Sequence, residues 1–120
     1  MANEITFQGT LKFAKNGIVE QRTLNCKADV AGAITAGGVQ KIGTTHEALV
    51  MGDIGTAGWA RFMNIDATNY VELGIVTGGT FYPFAKLKPG ETFPLRLGTN
   101  APYAKANTAE VNLEYLIIEA

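Results

Sequence analysis

The chain has 120 residues, enough to bury about two-thirds of the surface its unfolded form exposes, so length alone requires neither disulfide nor metal and predicts one domain over residues 1–120. A content of 47% hydrophobic and 18% charged residues is that of a globular protein and excludes intrinsic disorder. Ten basic against eleven acidic side chains leave a net charge of −1, which supplies no basic stripe for a phosphate backbone and sets nucleic acid aside as a partner.

From the amino terminus, "MANEITFQG" lacks a basic patch followed by an apolar run, and no stretch approaches the roughly 18 apolar residues that span a bilayer, so a membrane is not expected as a partner. Strict alternation then begins. In "EITFQGTLKF", Ile5, Phe7, Leu11 and Phe13 share one face and Glu4, Thr6, Gln8, Thr10 and Lys12 the other, the period of a strand with one face buried and one wet. "KNG" at 15–17 supplies the Asn-Gly pair of a tight hairpin turn. A second strand is predicted over 18–30, with Leu24, Cys26, Ala28 and Val30 on one face.

Residues 31–58 are rich in Gly, Ala and Thr, which offers the chain few side-chain anchors. Within them "EALVM" reads as a short strand or a helical turn. Strands resume over 59–65, 70–76, 80–84, 92–97 and 111–118, separated by the turn signals "DATN", "TGG", "KPGE" and "GTNAPYAKANT". In "DATN" the Asp and Asn oxygens are expected to accept from backbone amides two residues on, as at a corner between strands. Short strands at this spacing, with no window of helical period, predict an all-β, single-domain β-sandwich of jelly-roll type.

Candidates for chemistry are few. The chain has no serine and one histidine, which removes serine triads and multi-histidine metal sites. Cys26 is the single cysteine; it can form no internal bridge, points to folding in a reducing cytoplasm, and at its apolar phase reads as a small hydrophobe. His46 beside Glu47 could activate Cys26 or a water, but no partner spacing supports that over a polar loop. The glycines of "GDIGTAGW" match no phosphate-binding pattern. Asp53, Asp66 and Glu72 form the nearest group of carboxylates, without the pattern of a calcium loop, and a hydrolase built on Asp66 and Glu72 is the weakest reading. No catalytic residue, cofactor or metal is therefore expected.

"FMNIDATNYVELG" followed by "GGTFYPFAKLKPGETFPLRLG" resembles a segment of structural proteins of tailed bacteriophages, in which a strand pair precedes a Lys-Pro-Gly-Glu turn and an arginine-bearing strand. The likeness spans about residues 59–118. It implies a virion component and no enzyme, and among such components a head decoration or cement protein: a homotrimer on the phage head surface whose partner is the major capsid protein. A tail, connector or fibre component is the alternative. From the residues themselves, the aromatic anchors available for an interface are Trp59, Tyr82, Phe84 and Tyr103. Trp59 and Phe84 read first as core; Tyr103 reads as surface, with Lys105 and Asn107 as rim hydrogen-bonding groups. A different class, a carbohydrate-binding sandwich, would stack Trp59, Tyr70 or Tyr82 on sugar rings.

Overall fold

Alternation becomes strand in the computed structural model, which describes residues 4–98 and 101–120 and contains ten β-strands and no helix among them. The protein is all-β. The chain divides into two compact units, one ending at Ala31 and one running from Gly32 to Ala120.

The first unit is a hairpin of β1 (Ile5–Lys15) and β2 (Ile18–Ala28). The strands pair antiparallel along their whole length, from Ile5 opposite Ala28 to Lys15 opposite Ile18. Asn16 and Gly17 turn the chain at φ 51° and 81°, the left-handed pair of a type I′ turn, which only Gly and Asn or Asp enter at low cost. Directly opposed residues share a face, so Ile5, Phe7, Leu11 and Phe13 lie on the same side as Ile18, Leu24, Cys26 and Ala28. Val30 lies beyond the end of β2. The burial expected for this face is not found, since Leu11 is 66% and Phe13 52% exposed. A two-stranded ribbon has no second layer within its own unit to cover it.

The second unit holds β3 (Thr35–Ile42), β4 (Glu47–Ala48), β5 (Ala57–Asn64), β6 (Val71–Thr77), β7 (Thr80–Leu87), β8 (Thr92–Arg96), β9 (Tyr103–Ala106) and β10 (Val111–Glu119). The outer pairs nest like one long hairpin, β3 with β10, β4 with β9, β5 with β8 and β6 with β7, all antiparallel. Rolling that hairpin brings β10 beside β5 and β9 beside β6. The result is two four-stranded sheets, β3-β10-β5-β8 and β4-β9-β6-β7, the double Greek key of a jelly-roll β-sandwich.

The core lies between these sheets. Phe62 from β5 and Val111, Leu113 and Ile117 from β10 face Val71 and Leu73 of β6 and Ala104 and Ala106 of β9, all of them buried. Leu49 and Ile54, from the chain between β4 and β5, complete it. The period-two burial of β5 and β10 is what the alternation in their sequences requires.

β3 forms in the Gly-, Ala- and Thr-rich stretch for which no strand is predicted, β9 forms inside the separator "GTNAPYAKANT", and only Glu47–Ala48 of "EALVM" is strand. Thr99 and Asn100, in the separator expected before β10, lie outside the described residues. Phe84 is not core. The pairing of β6 and β7 shifts between Leu73, opposite Ala85, and Gly74, opposite Pro83, so Phe84 is the extra residue of a β-bulge and is 54% exposed. Trp59 is half-buried.

Candidate functional site

The polar corner at 64–69 is built from backbone bonds. Asn64, the last residue of β5, is fully buried; its Nδ2 donates to the carbonyls of Asn69 and Leu87, each at 2.9 Å, and its Oδ1 accepts from Asp66 N at 2.8 Å. Asp66 Oδ2 accepts from Asn69 N at 2.8 Å and Thr68 N at 2.9 Å, the side-chain-to-backbone pattern expected of the Asp in "DATN", whereas the Asn69 Oδ1 accepts from the Thr108 hydroxyl at 3.0 Å. These oxygens replace ladder partners that the chain gives up as it leaves β5, and the corner reads as structure.

The amides of Asn69 and, next, Thr68 hold the Asp66 carboxyl below the usual carboxylate range, because their bonds favour the charged form. Folded Asp66 therefore keeps its proton only at lower pH than in the unfolded chain. Its contribution is complete above the ordinary value near about pH 4 and is lost as pH falls through the lowered folded value. Thermal melts of Asp66→Asn are expected to show a shallower loss of stability below pH 4 than the parent protein; parallel profiles would contradict this reading.

His46 and Glu47 are similarly committed to packing. The imidazole stacks on Phe81 with centroids 5.7 Å apart and meets the edge of Tyr103 at 6.2 Å. The Glu47 carboxylate accepts from Gln40 Nε2 and Gly43 N, both at 3.1 Å. Tyr115 donates to the Val50 carbonyl at 2.7 Å, and burial pushes its phenol up from the ordinary value. Among the described residues, no three His, Cys, Asp or Glu side chains lie close enough together to hold a metal ion.

The residues expected at an interface do not form one patch. Trp59 is on β5, where Arg96 of β8 lies over its ring at 5.4 Å. Tyr103 and Lys105 alternate on β9, half-buried, in the other sheet, and exposed Asn107 follows that strand. Lys105 stands opposite Glu72, which stands opposite Lys86, and Lys86 covers the Tyr70 ring at 4.4 Å. Tyr103 is opposite Gly74 and Tyr82 is opposite Ile75, consecutive positions of β6, so these two tyrosines point to opposite faces. Tyr103 and Lys105 thus come together, while Trp59 and Tyr82 lie elsewhere.

Two surfaces were not foreseen from sequence. Between the ends of the two sheets, Ile75, Phe84, Leu95, Leu97 and Pro102, with Arg96, line an apolar cavity of about 190 Å³; the bulge that turns Phe84 outward opens it. The larger surface is the apolar face of the β1–β2 hairpin, where Leu11, Phe13, Ile18 and Leu24 are all exposed. Alternation marked that face as apolar, but only the fold reveals that its own unit leaves it open. Both surfaces are equipped for adhesion by burial of apolar area. No protein-family model, no curated protein and no solved structure matches this chain.

Proposed function

We propose that the chain is a structural protein of a tailed-phage virion, a head decoration or cement protein that bridges neighbouring major-capsid subunits on the outer surface and stabilises the head without catalysis. The observation that carries this reading is an amphipathic hairpin whose apolar side chains are exposed, in a chain whose other unit is a jelly roll. Jelly rolls serve in viral capsids and in lectins, so the fold alone selects neither; the phage-like order of segments over residues 59–118 favours the first. Glu47 and Asp66 accept from backbone amides and His46 stacks on Phe81, which favours apolar burial and backbone pairing as the means of action. Each contact is small and is multiplied by the symmetry of the lattice.

Heads purified without this protein are expected to take up the added chain to a fixed number of copies and then to withstand higher temperature. Heads that take up none and melt unchanged would end the cement reading. If electron microscopy of complete virions locates the chain on a tail or fibre, the tail-component alternative replaces it.

A further inference from the structure

A sheet edge is an unfinished ladder, and three of the four edges in the second unit, β4, β7 and β8, are closed by their own residues. In the β3-β10-β5-β8 sheet, Leu97 N donates to the Gly58 carbonyl at 2.8 Å and Asn64 N to the Glu91 carbonyl at 3.1 Å, so the odd-numbered residues of β8 bond to β5 and the even-numbered ones face outward. Pro94 stands at an outward position and has no N–H to offer there. In the other sheet, Asn107 N donates to the Tyr70 carbonyl at 3.1 Å, which gives the even-numbered residues of β6 to β9 and the odd-numbered ones to β7. Tyr82, opposite Ile75, is therefore bonded inward, and Pro83 faces outward beside the bulge at Phe84. Prolines and bulges are the means by which edges avoid further pairing. β4 has only two residues.

β3 is different. Glu119 N donates to the Ile34 carbonyl at 2.9 Å, and the register runs without a shift from Thr35 opposite Ile118 to Ile42 opposite Val111. Ala36, Gly38, Gln40 and Ile42 therefore bond to β10, while Thr35, Gly37, Val39 and Lys41 turn their N–H and C=O groups outward. All four are exposed, and among the described residues β3 pairs with β10 alone. With no proline in its sequence, this edge is an open ladder.

We propose that the edge of β3 pairs with β3 of a second copy, antiparallel about a two-fold axis through Gly38, joining two four-stranded sheets into one. The edge's own sequence decides for this partner and this register. Outward residues must stand opposite outward residues, and the register that uses all four places Thr35 opposite Lys41 of the second copy and Gly37 opposite Val39, each twice by symmetry, for about eight backbone bonds. Gly38 then meets its own copy in a non-hydrogen-bonded pair, where Cα atoms approach to about 4.5 Å and glycine has no side chain to interfere. Val39 lies beside Gly37 of the second copy, and Gly37 stands opposite Leu116, so the exposed Val39 and Leu116 flank the glycine from both sides. No like charges are opposed, because Lys41 meets Thr35 and keeps its ammonium in water on the outer face. An unrelated extended peptide offers the same main-chain bonds without the glycine at the axis or the valine beside each Gly37. The pairing uses the second unit alone and stands whether or not the protein belongs to a virion.

Sedimentation equilibrium of the full chain across the micromolar range, with amide exchange at the same concentrations, tests this. The parent is expected to reach the mass of two copies, with exchange at Gly37, Val39 and Lys41 slowing as the dimer fills. Val39→Pro removes an outward N–H without touching the bonds to β10 and should weaken association at least about 100-fold, whereas Val39→Thr keeps the N–H and should stay within about threefold of the parent. Thr35→Lys sets like charges opposite each other at both ends and should weaken association about tenfold at low salt; Lys41→Glu in the same chain makes each pair opposite in sign and should restore it. Thr35 and Lys41 are exposed, so the charge series reads the register even where proline disturbs the strand, and thermal melts serve as the folding control. A parent that is monomeric throughout, or that reaches three copies, overturns the proposal. So do Gly37, Val39 and Lys41 amides that exchange at one rate at every concentration, a folded Val39→Pro chain that pairs like the parent, or a Thr35→Lys chain that pairs as well as the parent or is not rescued by Lys41→Glu.

Discussion

Asn64→Ala is expected to destabilise the sandwich by about 4 kcal/mol, a large part of the 5–15 kcal/mol that holds a domain of this size together. The side chain is fully buried and makes three bonds. Removing it leaves the Asn69 and Leu87 carbonyls without their donor and the Asp66 amide without its acceptor; a stranded buried group costs about 1–3 kcal/mol, and the Leu87 bond is buried while those to Asn69 and Asp66 are part-buried. The effect is concentrated because Asn64 is a junction. Its backbone N–H donates to Glu91 at 3.1 Å and its carbonyl accepts from Gly90 at 2.8 Å, so the same residue anchors the turn before β8 while its amide ties the end of β7 to the corner before β6. Thr108→Ala is the natural comparison, since it removes only the exposed 3.0 Å bond to Asn69 Oδ1 and should cost no more than about 1 kcal/mol. Urea unfolding followed by circular dichroism measures both. Equal midpoints for the two variants would show that the corner is not the junction described.

That corner also illustrates how far the sequence could be read. Asp66 announces a corner because its short side chain reaches the backbone amides of Thr68 and Asn69, a local property that needs no knowledge of the rest of the fold, whereas the Asn69 oxygen accepts from the distant Thr108 hydroxyl. Asn16-Gly17 declares its turn for the same reason, as does the Lys88–Glu91 turn, where Glu91 N donates to the Lys88 carbonyl at 3.0 Å. What depends on distant partners was not legible. β3 contains Gly37 and Gly38, which carry no side chains to display alternation, and it becomes a strand because β10, about seventy residues later in the chain, supplies its hydrogen bonds. β9 is four residues long, and the buried side of its alternation is only Ala104 and Ala106. Those alanines form core because Val71 and Leu73 lie opposite them.

The interaction surfaces divide along the same line. Periodicity identifies Leu11 and Phe13 as one apolar face, but whether that face is covered depends on what stands over it, and no local pattern encodes that. Tyr103 and Lys105 stand in turn-rich sequence and are brought into one row by β9. Trp59 and Tyr82 share only aromatic character with Tyr103: the roll of the nested hairpin sends Trp59 to the opposite sheet and the pleat sends Tyr82 to the other face.

Gly74→Ala is the second substitution with a large expected effect, about 3 kcal/mol, and it arises from the backbone instead of a side chain. A Cβ at this position would stand 2.2 Å from the Tyr82 carbonyl oxygen and 2.7 Å from Pro83 Cα, distances at which atoms overlap. Neither neighbour can swing away as the end of a long side chain would, because both are main chain of the paired strand β7. Gly74 sits at the register shift between β6 and β7, and the bulge requires the two backbones to approach there more closely than a regular ladder does. Added volume must be relieved by prising the pair apart, and forced overpacking of this kind costs about 1–3 kcal/mol, with rigid surroundings at the upper end. The consequence reaches the cavity, since Gly74, Ile75 and Phe84 line it together with β8. Gly74→Ala should therefore lower the melting temperature and also speed amide exchange in β7 around Tyr82 while β5 and β10 stay protected. Gly55→Ala, where an added Cβ meets nothing within 4 Å, should leave both readings close to the parent. Unchanged exchange in β7 with a lowered melting temperature would place the strain somewhere other than the bulge.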